Sequence, residues 1–284
     1  MRFTHAAFAL LASFAVACGS AEDVVTPTGD AAAGADSTSA DAAVAPDSGA
    51  AKDAASTPDA DAGSPTLGVP PFGGSSGGSG GAAGVSGTSQ QAGSVTYRLI
   101  VPASPAKPAP LLIVYSGTEG GQTMTSNLVS VGPTTGTDGF IRAVLDGVTY
   151  NGNGAAGATV LDDLRSKYDI DNERTYLLGE SAGTTAALKL GFHLRPSYFA
   201  AYWANDVNAT DAPAQSASQL GFAPWGQVGP GGDFADATAI VNAMSAAGYR
   251  LPNPAPYAGP GAGTHGDPSQ FIAALKFFPG KTRK

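Results

Sequence analysis

The chain has 284 residues, with 23 acidic against 15 basic side chains, a formal charge of −8, and a single cysteine. One cysteine excludes an internal disulfide, so any folded part must stand on its core alone. The absence of a basic patch argues against a nucleic-acid partner, and no His/Cys/Asp cluster at ligand spacing predicts a metal or organic cofactor.

Residues 1–20 read as a bacterial export signal. Arg2 supplies the positive charge, residues 6–16 a short apolar stretch, and Ala15-Val16-Ala17-Cys18 a small-residue cleavage site. The apolar run is too short to span a bilayer and is a targeting segment. The stretch resembles a lipobox, with Ala15 where that family prefers Leu, which implies lipidation of Cys18. Lipid chains there would hold the mature protein at a membrane, outer membrane or cell surface, without a transmembrane helix.

Residues 21–93 are Ala, Asp, Ser, Thr and Pro followed by Gly and Ser, with hardly any large apolar side chain. Nothing in such a stretch offsets the entropy of ordering it, and it is predicted to be a disordered tether. Its first part carries nine acids and one Lys, whereas the rest of the chain is close to neutral. The acidity therefore belongs to the stalk. Its second part, residues 73–81, reads as a flexible Gly/Ser linker.

Residues 94–284 are enough for one domain with a substantial core. SVTYRLIVP (94–102) mixes β-branched and aromatic residues and reads as a strand. PLLIVY (110–115) is a continuous apolar run of the kind that suits a strand buried on both faces. Residues 140–145 form a third strand candidate, and residues 158–168 have helical spacing. RTYLL (174–178) is a fourth strand, followed by a helix over 182–193. Residues 198–204 and 222–228 read as strands, and residues 236–248 and 268–278 as helices. Asp267 before Pro268 has the form of an N-cap with Pro at the first helical position. Alternating strands and helices predict a three-layer αβα sandwich around a mainly parallel sheet.

Gly179-Glu180-Ser181-Ala182-Gly183 fits G-x-S-x-G, and so does Gly73-Gly74-Ser75-Ser76-Gly77 in the linker. Only context separates them. Ser181 follows a buried strand directly and opens a helix, the strand–turn–helix setting that lifts a nucleophilic hydroxyl above a sheet near the positive end of the following helix. A hydroxyl nucleophile needs a base and the base an orienting acid. His265, in the loop Gly261-Ala262-Gly263-Thr264-His265-Gly266, is the predicted base; His193 reads as a residue of the helix end. The predicted acid is Asp233, after a strand and before a helix, with Asp206 at the end of the previous strand as the alternative. Asp236 reads as an N-cap or first-turn residue. Two backbone N–H groups should form an oxyanion hole. Ala182 supplies one, and Thr118 the other, because Gly117 allows the turn that would point that N–H inward.

Taken together, these residues resemble the α/β-hydrolase superfamily, and within it the secreted polyhydroxybutyrate depolymerase and feruloyl esterase group. VLDDLRSKYDIDNERTYLLGESAGT (160–184) fits that group's approach to the nucleophile turn. AIVNAMSAAGYRL (239–251) is similar to its helix after the acid loop, and GTHG followed by FIAALKFF to its histidine loop and last helix. Ser116 stands where His is usual, Thr184 where a second Gly is common, and the acid loop is longer and richer in glycine. The resemblance implies an α/β-hydrolase fold, no cofactor, and an exported, monomeric serine esterase. Its substrate would be a polyester, feruloyl or acetyl ester, polymeric substrates included because no long lid insertion is evident. Trp203 and Trp225 are candidates for an acyl pocket or for simple packing. The rival readings are a binding lipoprotein that keeps the scaffold without turnover, and a serine peptidase with the same triad.

Overall fold

The computed structural model describes Pro70 and residues 72–284; the export segment, Cys18 and the acidic stretch lie outside the described residues. Seven strands form one sheet: β1 (Ser86–Ala92), β2 (Val95–Ile100), β3 (Ala109–Tyr115), β4 (Ile141–Leu145), β5 (Ile170–Glu180), β6 (Ala201–Asn205) and β7 (Trp225–Gly229), in the order β1-β2-β4-β3-β5-β6-β7. The first two ladders, β1 on β2 and β2 on β4, are antiparallel, and the remaining ones are parallel. Every residue of β3, β4 and β6 is buried. That is the reason the run PLLIVY carries no polar alternation: both faces of these strands are covered.

Two cores result, one on each face. On one face α2 (Gly154–Lys167), α3 (Thr184–Lys189) and α5 (Phe234–Ala246) contribute Val160, Leu161, Leu164, Ala186, Ala187, Ile240 and Met244. On the other, α1 (Gly120–Thr135) and α6 (Pro268–Phe277) contribute Met124, Leu128, Phe271, Ala274 and Leu275. A short α4 (Ala217–Leu220) completes the helices. The three-layer αβα sandwich read from the sequence is the observed architecture.

Helix α1 was not legible in the sequence. GGQTMTSNLVSVGPTT is poor in helix formers and carries Pro133 inside. Its buried positions, Gly121, Met124, Thr125, Leu128, Gly132 and Thr135, nonetheless recur at helical spacing with small and polar residues in place of aliphatic ones. The helix predicted over 182–193 is interrupted: residues 181–183 form a 3₁₀ turn, Thr184–Lys189 an α-helix and Leu190–Leu194 a π turn. Asp267 does cap α6, accepting the Ser269 N–H at 2.7 Å, with Pro268 in the first turn.

The boundary placed at residue 93 needs correction. Residues 86–92 are the edge strand β1, and the Gly/Ser stretch before it is laid along the domain. The Ser76 N–H bonds Ile170 O at 2.9 Å, the Gly81 N–H bonds Lys167 O at 2.9 Å, and the Gly73 N–H bonds Glu173 Oε1 at 2.8 Å. A Cβ on Gly78 would lie 2.4 Å from Tyr168 O, so glycine here permits close backbone approach rather than flexibility. Buried Arg283 near the C-terminus fastens the same region, donating to Pro70 O at 3.1 Å, Ser197 O at 3.0 Å and Glu173 Oε1 at 3.1 Å.

Candidate active site

The chain leaves β3 toward β4 on one side, and β5 lies on the other side of β3. Loops leaving the carboxyl ends of β3 and β5 therefore diverge across a crevice, the place where open α/β sheets carry their ligands. The loop after β3 runs from Ser116 to Glu119, and β5 ends at Glu180, directly before Ser181.

Ser181 has φ +45°, a left-handed conformation that a non-glycine residue rarely adopts. Strain of this kind persists only where packing imposes it. The packing is visible on both sides of the serine. A Cβ on Gly179 would lie 2.7 Å from the Ala187 Cβ, and one on Gly183 would lie 2.6 Å from Ser116 O and 2.6 Å from the Tyr115 Cβ. Both glycines of the motif are thus required by contact, as the sharp strand-to-helix turn demands. The same test fails at residues 73–77, where a Cβ on Gly73, Gly74 or Gly77 would meet nothing.

The structure brings Ser181 and His265 together. Ser181 Oγ and His265 Nε2 are 2.9 Å apart, across 84 residues of sequence. His265 is exposed, at the lip of the crevice, and its loop is held from beneath. The Gly266 N–H donates to Asp206 Oδ2 at 2.5 Å, and Gly232 N–H bonds Ala262 O at 3.0 Å. Asp206 is buried and has φ +50°, the second non-glycine residue in this conformation among the described residues. Its Oδ1 accepts the side-chain amide of Gln270 on α6, and Gln270 Oε1 accepts the Gly231 N–H at 3.1 Å.

Asp233, the predicted acid, is placed elsewhere. It is the N-cap of α5, and its Oδ1 accepts the Asp236 N–H at 3.0 Å. The reason is local: an Asp directly before a helix satisfies one of the orphan N–H groups of the first turn. The carboxylate joined to the histidine loop is the alternative one, Asp206. Asp236, predicted to start that helix, lies in its first turn.

Ala182 follows the nucleophile in the 3₁₀ turn. Thr118 is exposed in the loop after β3, in which the positive φ, +80°, is at Gly120. Gly117 is glycine because of crowding: a Cβ would lie 3.2 Å from the Ser181 Cβ and 2.5 Å from Glu119 Oε2. Glu119 Oε1 accepts the Gly117 N–H at 2.9 Å, which puts a carboxylate at the mouth of the site. Asp146 after β4 anchors the other end of the loop, accepting the Gly121 N–H at 3.0 Å and the Thr149 N–H at 2.9 Å. These bonds outweigh its partial burial and hold the Asp146 carboxyl below the usual range. Ser116, standing where the resemblance puts His, accepts the Gly147 N–H at 3.1 Å.

Three further residues escaped the sequence reading: Gln270, Glu119 and Glu180. Glu180 is the second residue of the G-x-S-x-G turn; it is buried, and its Oε2 accepts the Asn205 side-chain N–H at 2.9 Å. Burial, with the neighbouring Asp206 carboxyl adding to it, pushes the Glu180 carboxyl well above the usual range. No sequence signal marks it, because the pattern leaves that position open. His193 pairs with Asp211 at 2.9 Å, apart from Ser181 and its partners. Trp203 and Trp225 pack rather than line the crevice: the Trp203 indole N–H bonds Asn205 Oδ1 at 2.8 Å, and Trp225 lies between Arg250 and Lys281, 4.6 and 4.8 Å from its ring centroid. Among the described residues no group of His, Cys, Asp and Glu could hold a metal ion, and no helix is long and apolar enough to cross a membrane.

No family model matches the chain, and no curated protein matches it. Solved structures do. A thermostable esterase superposes with a TM-score of 0.52 at 14% identity, covering 69% of this chain and 63% of its own, so this chain spans less than two thirds of that esterase. A dienelactone hydrolase-like promiscuous phosphotriesterase from metagenomic libraries superposes with a TM-score of 0.50 at 13% identity, covering 71% of this chain and all (100%) of its own. At such identity the likeness speaks for the fold, and the fold is that of the α/β hydrolases.

Proposed function

We propose that the chain is an exported serine hydrolase of carboxylic esters, with Ser181 as nucleophile, His265 as base and Asp206 as the acid behind the histidine loop. The observation that carries this reading is the 2.9 Å contact between Ser181 Oγ and His265 Nε2, made by a serine held at φ +45° on a strand–helix turn. A neutral His265 would accept the hydroxyl proton as Oγ attacks the ester carbonyl. The tetrahedral oxyanion would be met by the N–H groups of Ala182 and of the loop at Thr118. His265 then returns the proton to the leaving alcohol, and water releases the acyl group by the same route. The negative charge of Asp206 favours the imidazolium that forms between these steps.

Polyester, feruloyl and acetyl esters are the substrate classes proposed. Exposed Val148, in the loop after β4 that packs against the nucleophile turn, and exposed Phe234, which opens α5 just after the loop bonded to the histidine loop, favour a neutral, partly apolar acyl partner. Cys18 is proposed as the lipid-bearing residue that keeps the domain at a membrane surface. The test is hydrolysis of p-nitrophenyl acetate and butyrate, with labelling by a fluorophosphonate probe. Ser181→Ala should abolish both, with a loss of about 10³-fold or more in kcat. Full labelling of the Ser181→Ala protein, or a wild type inert to ester and probe alike, would overturn the assignment.

A further inference from the structure

We propose that Glu180 is a neutral hydrogen-bond donor to Asp206, a positioning residue that fixes the acid of the site; this rests on the assignment of Ser181, His265 and Asp206 above. Glu180 is the last residue of β5, and the ladder pairs it with Asn205 at the end of β6, next to Asp206. Both side chains are buried in one cluster: Asn205, which directly precedes Asp206, bonds Glu180, and a Cβ on Gly229 would touch both Asn205 Oδ1 and the Gln270 side chain that donates to Asp206. Two carboxylates in contact within a protein interior do not both ionise.

The remaining bonds decide where the proton resides. The Trp203 indole N–H can only donate, and it donates to Asn205 Oδ1 at 2.8 Å, which fixes the orientation of that amide. Asn205 therefore presents its Nδ2 hydrogens to Glu180, and Glu180 Oε2 accepts one at 2.9 Å. Asp206, by contrast, accepts the Gly266 N–H on Oδ2 and the Gln270 side-chain N–H on Oδ1, so both of its oxygens already serve as acceptors. The charge thus settles on Asp206 and the proton on Glu180. The charged groups that face Glu180 are the carboxyls of Asp206 and Glu119, both of which oppose a second negative charge there. The Glu180 O–H becomes the third donor to Asp206, from the end of the strand that leads into the nucleophile turn.

Glutamine is the isostere of a protonated glutamate: its amide N–H can replace the O–H toward Asp206 while its carbonyl oxygen accepts from Asn205. Methionine keeps the length and supplies neither. The experiment measures kcat and KM for p-nitrophenyl butyrate from pH 5 to 10 in the wild type, Glu180→Gln and Glu180→Met, with Ser181→Ala as the control for the parent assignment. The Gln variant should remain within about threefold of wild type at pH 7, and the Met variant should lose about tenfold or more in kcat with KM little changed, because it removes a donor to the acid of the site. The wild type should also lose activity at alkaline pH as Glu180 ionises, a fall that the Gln variant lacks.

A Gln variant as impaired as the Met variant at pH 7 would overturn the proposal, because it would show that a carboxyl group is required. Gln and Met variants both equal to wild type, with the same pH profile, would reduce Glu180 to packing. If the Met variant does not fold, the pH profile of the Gln variant decides alone. A wild type that is inert, or a Ser181→Ala protein that turns over, is a failure of the parent assignment and takes the proposal with it.

Discussion

Gln270 on α6 donates its side-chain N–H to Asp206 Oδ1 and with its other end accepts the Gly231 N–H at 3.1 Å. One buried side chain thus ties the carboxylate after β6 to the loop after β7. A Cβ on Gly231 would lie 2.3 Å from Asp206 Oδ1, so the two loops are in direct contact. Replacing Gln270 by Leu would remove a donor to a buried carboxylate and leave a buried N–H without a partner. Each change costs about 1–3 kcal/mol, so Gln270→Leu should lower the urea-unfolding free energy by about 2–6 kcal/mol and reduce kcat. An unfolding midpoint equal to that of wild type would show that the loops are held by other contacts.

The two candidate acids give a direct comparison. Asp206 is joined to the histidine loop through the Gly266 N–H, whereas Asp233 caps α5. Asp206→Asn should lower kcat by about 10²-fold or more, because the developing imidazolium loses its counter-charge. Asn caps a helix about as well as Asp, so Asp233→Asn should leave both activity and stability near wild type, and Asp233→Ala should cost about 1 kcal/mol of stability without loss of kcat. Steady-state kinetics on the three variants settle the roles; a large kcat loss in Asp233→Asn alone would restore Asp233 as the acid.

This contrast also shows what a sequence can carry. The sheet, most helices and the proximity of Ser181 to His265 follow from patterns with local causes: apolar runs, a strand–turn–helix motif, an N-cap before Pro268. Asp233 and Asp206 look alike in sequence, each after a strand in a glycine-containing or polar loop. Which one meets the histidine loop depends on the packing of α6 and on the φ of +50° at Asp206, and neither leaves a mark in the sequence. Helix α1 was hidden for a different reason. Its buried face is built from Gly and Thr, which a search for aliphatic periodicity passes over. The glycines at 73–81 misled in the opposite direction, since composition cannot distinguish a glycine that frees the chain from one that lets backbones touch.

That last distinction is measurable. Gly78 has no room for a side chain, with Tyr168 O at 2.4 Å, Arg165 O at 2.6 Å and Tyr168 N at 2.7 Å from its would-be Cβ, all of them backbone atoms. Gly73, Gly74 and Gly77 have open space. Gly78→Ala should therefore detach the segment that bonds Lys167 O and Ile170 O, expose it to limited proteolysis and lower stability by about 1–3 kcal/mol, the range for overpacking. A domain begun at Ser94 should lose more, since it lacks β1 as well. If Gly78→Ala resists protease as wild type does, the segment contributes nothing to the fold and the boundary belongs near residue 93 after all.

The Glu180 carboxyl gives stability a pH dependence of known sign. Burial, and then the Asp206 carboxyl, raise its pKa well above the ordinary 4.5. Between pH 4.5 and the raised value, folded Glu180 keeps a proton that the unfolded chain releases, so the folded state binds more protons and this group's contribution to stability falls as pH rises. The contribution is fully present below pH 4.5 and is lost as pH climbs through the folded-state value. Within that window the slope approaches about 1.4 kcal/mol per pH unit. Glu180→Gln has no proton to release. Its stability relative to wild type should therefore increase from pH 5 to pH 8, with the two converging toward pH 4. Urea unfolding of both proteins at a series of pH values reads this difference without reference to catalysis. A constant difference across the series would mean that Glu180 is already ionised in the folded protein at pH 5, with the Asp206 pair carrying two charges rather than one.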